Sequence, residues 1–325
     1  MAAYTGIQGQ NILIVSSDPA NPTEGQIWYN TTTNLLKGYA NVVTNSWATG
    51  GSLGTARYSL AGAGTQTAGL AFGGDLGPAR TNVTEEYDGS AWTAGGNLNV
   101  TRSALAGAGT QTAGLAFGGF APAPTLVTGA TEEYNGTSWT NNPTGLGTAR
   151  YLLAGAGTQT AALAIGGRVP PGNTHPGATE EYDGSTWTSG GTMGTARATL
   201  AGAGTQTSAV AFGGFGPTTS AATEEYDGTS WTTGGTMNSA RSNLAGAGTQ
   251  TASLAFGGEP TTGATELYNG TSWTSNPTGL ATTRGFLGGV GTQTSALAFG
   301  GTPPITAATE EWTGTQLTTR TITTS

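Results

Sequence analysis

Between residues 60 and 301 the chain repeats one stretch six times. The copies of "LAGAGTQTAGLAFGG" begin at Leu60, Leu105, Leu153, Leu200, Leu244 and Leu287, at successive spacings of 45, 48, 47, 44 and 43 residues. A unit of this length cannot bury an apolar face by itself, so neighbouring units must cover one another. Its period matches what four short strands and their turns require. The 57 glycines and 14 prolines would point to disorder if scattered, but the glycines return at fixed places in each copy, as ordered turns demand.

Within a copy, "LAGAGTQT" alternates between two faces, Leu60, Gly62, Gly64 and Gln66 against Ala61, Ala63, Thr65 and Thr67. It reads as an inner strand, and its small residues suit a place where six strands converge on an axis. "AGLAFGG" then puts Leu70 and Phe72 on one face and stops at Gly73 and Gly74. A third strand ends in "TEEY" and is followed by "DGSAW" or, at Asn135 and Asn269, by "NGTSW", both tight-hairpin sequences. No 3.6-residue apolar period appears, and the Gly and Thr of the tract oppose a helix. The expectation is an all-β chain of four-stranded antiparallel blades arranged radially.

In five units the double glycine is followed by Tyr and then Trp: Tyr87 and Trp92, Tyr134 and Trp139, Tyr182 and Trp187, Tyr226 and Trp231, Tyr268 and Trp273. This order resembles Kelch-repeat β-propellers, and the resemblance spans about residues 38 to 320. It implies a six-bladed propeller. The last unit departs from the pattern with Trp312 and Leu317, while Tyr39 and Trp47 supply a further pair, so seven blades is the other count. The two terminal half-units are expected to meet, one completing the last blade and the other adding an outer strand. Residues 1–37 read as an N-terminal β-hairpin segment, folded about "QIWYNTTTNLLKGY", and residues 38–325 as the propeller.

Most chemical functions find no support. Only 9% of residues are charged and the net charge is -8, which disfavours nucleic acid or an anionic membrane surface as a partner. No run of 18 apolar residues appears, and the start lacks a basic region followed by an apolar one, so neither membrane insertion nor ordinary secretion is expected. There is no cysteine, and His175 is the one histidine, too little for a metal site. Arg57, Arg102, Arg150, Arg197, Arg241 and Arg284 recur with acids at Glu85, Glu132, Glu180, Glu224, Glu266 and Glu310. Such regular copies do not readily separate an acid from a base, and they read as structural pairs or solvated edges of small individual effect. "GAGTQTAG" has Thr67 where a phosphate loop needs its third glycine. No catalytic residue, cofactor or metal is expected, and the chain reads as non-enzymatic. Gln66, Gln111, Gln159, Gln206, Gln250 and Gln293 are expected to form a polar ring near the axis.

Selectivity on a pseudo-symmetric body needs residues that break the symmetry. The segments after the double glycines do so: they run 7 to 12 residues up to the next acid and share almost no sequence. They are expected to form one rim on a single face. Candidate ligand contacts there are Asp75 and Arg80; Phe120, Pro122, Pro124 and Leu126; Arg168, Pro170, Asn173 and His175; Phe215; and Glu259. The front "DPANPTEGQIWYNTTTNLLKGY" together with the tandem units resembles structural or tail-fibre proteins of tailed bacteriophages, particularly those of marine cyanobacteria and related hosts. That resemblance implies a virion protein, extracellular after host lysis, bound to other virion proteins through its N-terminal segment. Its rim would contact a host-surface glycan or protein, with homo-oligomerisation left open. The rival readings are a bacterial surface adhesin or matrix propeller and a glycan-active enzyme.

Overall fold

A computed structural model describes residues 12–42, 45–124, 126–171 and 174–322, and the chain divides into two compact units, residues 1–45 with 314–325, and residues 46–313. The expected boundary at residue 37 falls inside the strand Leu35–Val42, which continues because Gln316–Thr321 pairs along it from Lys37 to Val42. The same pairing withdraws Leu317 from the last repeat and sets it opposite Asn41. In this unit Ile27–Asn30 and Leu35–Val42 form the hairpin, and Leu13–Val15 joins Ile27–Asn30 in parallel. Trp28 is fully buried, and its indole N–H and the Asn30 amide donate to the Asp18 carboxylate. Hydrogen bonding from Lys37 above all, then from these two groups, holds the Asp18 carboxyl at about 2.

The repeat unit contains six four-stranded antiparallel sheets and no helix among the described residues. Sheet I is Ala61–Gly64, Gly69–Phe72, Thr84–Tyr87 and Trp92–Ala94. Sheet II is Ala106–Gly109, Gly114–Phe117, Thr131–Tyr134 and Trp139–Asn142. Sheet III is Ala154–Thr158, Ala161–Ile165, Thr179–Tyr182 and Trp187–Ser189. Sheet IV is Ala201–Thr205, Ser208–Phe212, Thr223–Tyr226 and Trp231–Thr233. Sheet V is Ala245–Thr249, Ala252–Phe256, Thr265–Tyr268 and Trp273–Asn276. Sheet VI is Gly288–Gly291, Ser295–Phe299 and Thr309–Thr313, completed by Ser46–Thr49 from the other end of the unit. The innermost strands touch in cyclic order, I on II through to VI on I, as in a β-propeller. Trp47 lies opposite Trp312, so the expected seventh pair dissolves: Tyr39 belongs to the other unit, and Trp312 stands in the tyrosine's place.

The repeated residues build each seam between neighbouring sheets. The Trp indole N–H donates to the Thr hydroxyl that opens the third strand of the preceding sheet, as from Trp139 to Thr84, Trp92 to Thr309 and Trp47 to Thr265, each at 2.9 Å. The Tyr hydroxyl donates to the second carboxylate of the preceding sheet, Tyr134 to Glu86 at 2.5 Å and Tyr268 to Glu225 at 2.6 Å. Burial and then that carboxylate push both phenols up to about 12, so they remain donors at neutral pH. The glutamines form a cyclic set of polar contacts, each amide bonded to backbone carbonyls of the preceding sheet. Gln111 Nε2 donates to the carbonyls of Gly69 and Tyr87 in the preceding sheet at 3.1 and 2.7 Å, and its five counterparts do likewise, because backbone acceptors at strand ends demand partners.

One seam departs from the pattern in both partners at once. Sheet VI offers Trp312, with no hydroxyl to give, and sheet V offers Leu267 in place of the acid that would receive it. Leu267 packs against the apolar cluster that contains Trp312.

The repeated arginines and first carboxylates pair inside the protein, not at solvated edges. Their nitrogen–oxygen separations run from 2.5 to 3.1 Å, and the side chains are at most 9% exposed. Of the two readings, structural pairs and solvated edges, the first holds, and removing one partner of such a buried pair costs about 3–5 kcal/mol. Glu132 also accepts from the backbone N–H groups of Asn99 and Val100, and Arg102 donates on to the Gly118 and Ala130 carbonyls. Burial pushes the Arg102 guanidinium down to about 10, opposed by Glu132.

The inner-strand glycines clear the neighbouring sheet. A Cβ on Gly107 would stand 2.5 Å from the Gly62 carbonyl oxygen and 2.7 Å from Phe72 Cζ. At Gly202 the preceding sheet offers Ile165 where its counterparts carry phenylalanine, and the nearest atom is 3.1 Å away. Gly107→Ala should therefore destabilise the protein by about 1–3 kcal/mol in urea unfolding, and Gly202→Ala by distinctly less; equal losses would refute the clearance argument. Leu267→Glu and Trp312→Tyr should each destabilise, but the double variant should lose less than their sum by about 1–3 kcal/mol as the missing hydrogen bond forms. Strict additivity would show the two departures to be unrelated.

Candidate functional site

Each repeat leaves two residues unspecified between its arginine and its leucine: "RYSL", "RSAL", "RYLL", "RATL", "RSNL" and "RGFL". The second of each pair, Ser59, Ala104, Leu152, Thr199, Asn243 and Phe286, has φ between 51° and 56°. Non-glycine residues rarely adopt this left-handed conformation, at a strain of about 1–3 kcal/mol each. A closed ring of backbone hydrogen bonds holds them in it. The N–H of each donates at 2.8 Å to the carbonyl of its counterpart in the preceding sheet, and Ser59 closes the ring on Phe286.

These six unlike side chains and the leucines that follow them enclose an axial mouth of about 90 Å³. Beyond the leucines, the Leu, Ala and Gly residues of the inner strands line a further space of about 130 Å³. Both are small against the roughly 300–1,000 Å³ of ordinary ligand pockets. The axis is thus nearly filled, and binding surface has to be sought around it.

The first residue of each pair ties the variable loops to the ring. Tyr58, Ser103, Tyr151, Ala198, Ser242 and Gly285 form antiparallel bridges with Asp75, Phe120, Arg168, Phe215, Glu259 and Thr302, the residues that open those loops. Two depressions result. Phe120, Leu126, Val127, Tyr151, Val169 and Pro170 line a largely apolar cleft of about 520 Å³. Leu152, Arg168, Thr199, Phe215, Asn243 and Phe286 line a second of about 340 Å³.

The structure brings several of the expected contact residues together. Phe120, Leu126 and Pro170 meet at the larger cleft, and Arg168 and Phe215 at the smaller. Arg80 reaches over from the neighbouring loop, its guanidinium carbon 4.1 Å from the Phe120 ring centre. Asp75 shapes that loop, its carboxylate accepting from the Gly77 N–H at 2.9 Å. Arg168 Nε donates to His175 Nε2 at 3.0 Å, and the imidazole meets the Phe215 ring edge-on at 6.0 Å. Burial, and then the charge of Arg168, lower the His175 pKa and favour the neutral imidazole that can accept this bond. Pro122 and Pro124 are exposed and line neither depression. Glu259 also lines neither and accepts from the Thr261 hydroxyl at 2.9 Å. Asn173 lies outside the described residues. Among those described, no group of three or more His, Asp or Glu could hold a metal ion.

Sequence reasoning missed the two-residue windows, and with them Tyr58, Tyr151, Leu152, Thr199, Asn243 and Phe286. The signal was a break of two letters in an otherwise strict repeat, too short to register as a loop.

Among solved structures, the chain is similar to one titled "Structure of YjhT", with a TM-score of 0.67 over 83% of this chain and 99% of that one, at 14% identity. At that identity the likeness is one of fold, a β-propeller. No family model and no curated protein matches the chain.

Proposed function

We propose that the protein is a non-enzymatic recognition component of a tailed-phage virion. In this reading the six sheets are the blades of a Kelch-like propeller, the loop rim contacts a glycan or protein on the host surface, and the N-terminal unit attaches to other virion proteins. The observation that carries it is the division of labour within each repeat. Repeated polar groups are committed to seams, the axial ring or buried ion pairs, while the residues that differ between copies gather on one rim. The resemblance of the front segment to phage structural proteins supports the placement on a virion.

The same division argues against catalysis. The first carboxylate of each sheet is paired with arginine, and the second, where present in sheets I to IV and VI, accepts a tyrosine hydroxyl. The rim acids Asp75 and Glu259 belong to the loops of sheets I and V and form no adjacent pair whose environments would separate an acid from a base.

Mass spectrometry of purified virions should find this chain as a component, and the purified protein should compete with virions for adsorption to host cells. Replacing residues 120–130 by residues 259–264 should weaken that competition by about tenfold or more, with unfolding stability held within about 1 kcal/mol. Absence from virions, or release of oligosaccharide from host surface polysaccharide by the protein, would overturn the reading.

A further inference from the structure

Charge accounting singles out two side chains. The chain has one lysine and nine arginines. Six arginines are buried in ion pairs, and Lys37 and Arg320 belong to the other unit. The remaining cations of the propeller unit are Arg80 and Arg168, and neither forms an ion pair among the described residues. In a protein of net charge -8, both stand on the rim, Arg80 over the Phe120 ring and Arg168 hydrogen-bonded to the His175 imidazole.

The two are linked by a continuous band. Arg80 lies over Phe120, whose ring centre is 5.3 Å from that of Tyr151. Tyr151 is paired through its backbone with Arg168, whose N–H donates to the Tyr151 carbonyl at 2.7 Å. Arg168 then leads to His175 and on to Phe215. Because Arg168 spends only its Nε on His175, its two terminal nitrogens keep their donors. The 520 Å³ cleft opens along the middle of this band. Asp75, paired through its backbone with Arg80, accepts from the Gly77 N–H and forms no ion pair with either arginine among the described residues, and Glu259 lies on the loop of sheet V, outside the band. The exposed aspartates Asp88, Asp183 and Asp227 sit in the turns between third and fourth strands, at the opposite end of those strands from the rim.

We propose that this band binds an acidic polysaccharide, with sugar carboxylates on Arg80 and Arg168 and sugar faces packed on Phe120 and Tyr151. The proposal rests on the recognition role above and narrows it to one ligand class. A guanidinium fork matches a carboxylate in shape and charge, and flat rings offer sugars an apolar face. A neutral glycan would take hydrogen bonds from the two arginines but would gain no charge attraction from them. The spread of the band over the loops of sheets I to IV suits a chain of several sugars better than a single one.

The test uses the full chain and immobilised oligosaccharides built on glucuronate, galacturonate and mannuronate, each beside its carboxyl-reduced counterpart. At least one carboxylated member should bind about tenfold or more tightly than its reduced form, and binding should fall as sodium chloride is raised. Arg80→Gln and Arg168→Gln should each weaken it about tenfold without moving the unfolding midpoint. The proposal is overturned if no acidic member binds, if the reduced forms bind equally well, or if neither substitution matters. Host adsorption that is lost on exchanging residues 120–130 but indifferent to both arginine substitutions would refute the acidic ligand and leave the recognition role standing. Adsorption indifferent to all three changes would refute both.

Discussion

The propeller unit depends on hydrogen bonds made between sheets, because the sheets do not satisfy their own polar groups. A sheet's indole N–H finds its acceptor on the preceding sheet, and so do its tyrosine hydroxyl and its glutamine amide. Cut out alone, a sheet would expose these donors together with the apolar faces of Leu70, Phe72 and their counterparts, which lie in clusters shared across the seams. Each group is worth only about 1 kcal/mol net when bonded, but leaving it buried and unmatched costs more. Stability is therefore a property of the ring of seams, and the strand Ser46–Thr49 takes part in it: Trp47 carries the indole hydrogen bond from sheet VI to sheet V, beside those of the Gln293 amide.

This cyclic dependence explains why so much of the fold was legible in the sequence. Strands, turns and their order follow from the letters of one repeat, and six copies reinforce each inference. What misled was any residue whose partner belongs to another copy. The glutamines could be read as a repeated polar set, but not as bonds to the preceding sheet, because strand alternation describes one sheet and says nothing of the next. The arginines and glutamates could be read from sequence as structural pairs or as solvated edges, and only the structure decides for buried pairs, supported as at Arg102 and Glu132 by loop N–H groups and carbonyls. Trp312 stood out as an irregularity by itself, and its match with Leu267, 45 residues earlier, is visible only where the seam places one against the other.

The rim was legible by half. Loops of unequal length announce themselves, and Phe120, Arg168 and Phe215 were visible as their opening residues. The residues they pair with were not, because the axial ring is a backbone feature: six unlike side chains from Ser59 to Phe286 share one left-handed conformation that no side chain prefers. Only the cyclic hydrogen bonds account for it. A position held by its backbone is free to vary in its side chain, and this is why the windows beside the ring carry Tyr, Ser, Ala and Gly in one column and Ser, Ala, Leu, Thr, Asn and Phe in the next.

The same reasoning explains how loops of different length coexist on one frame. Despite segments of 7 to 12 residues, the second and third strands keep one register in all six sheets: Phe72 opposite Thr84, Phe117 opposite Thr131, Ile165 opposite Thr179, Phe212 opposite Thr223, Phe256 opposite Thr265 and Phe299 opposite Thr309. The double glycine insulates the strands from the loop. Gly73 and Gly74 take φ of 64° and 115°, and the N–H of Gly74 donates to the carbonyl of Arg102, the buried arginine of the next sheet. The loop thus begins from a point anchored to its neighbour, and whatever length follows, strain in it is not passed to the strand behind. A surface that varies on such anchors can change its side chains without disturbing the core, and Arg80 and Arg168 stand on that surface.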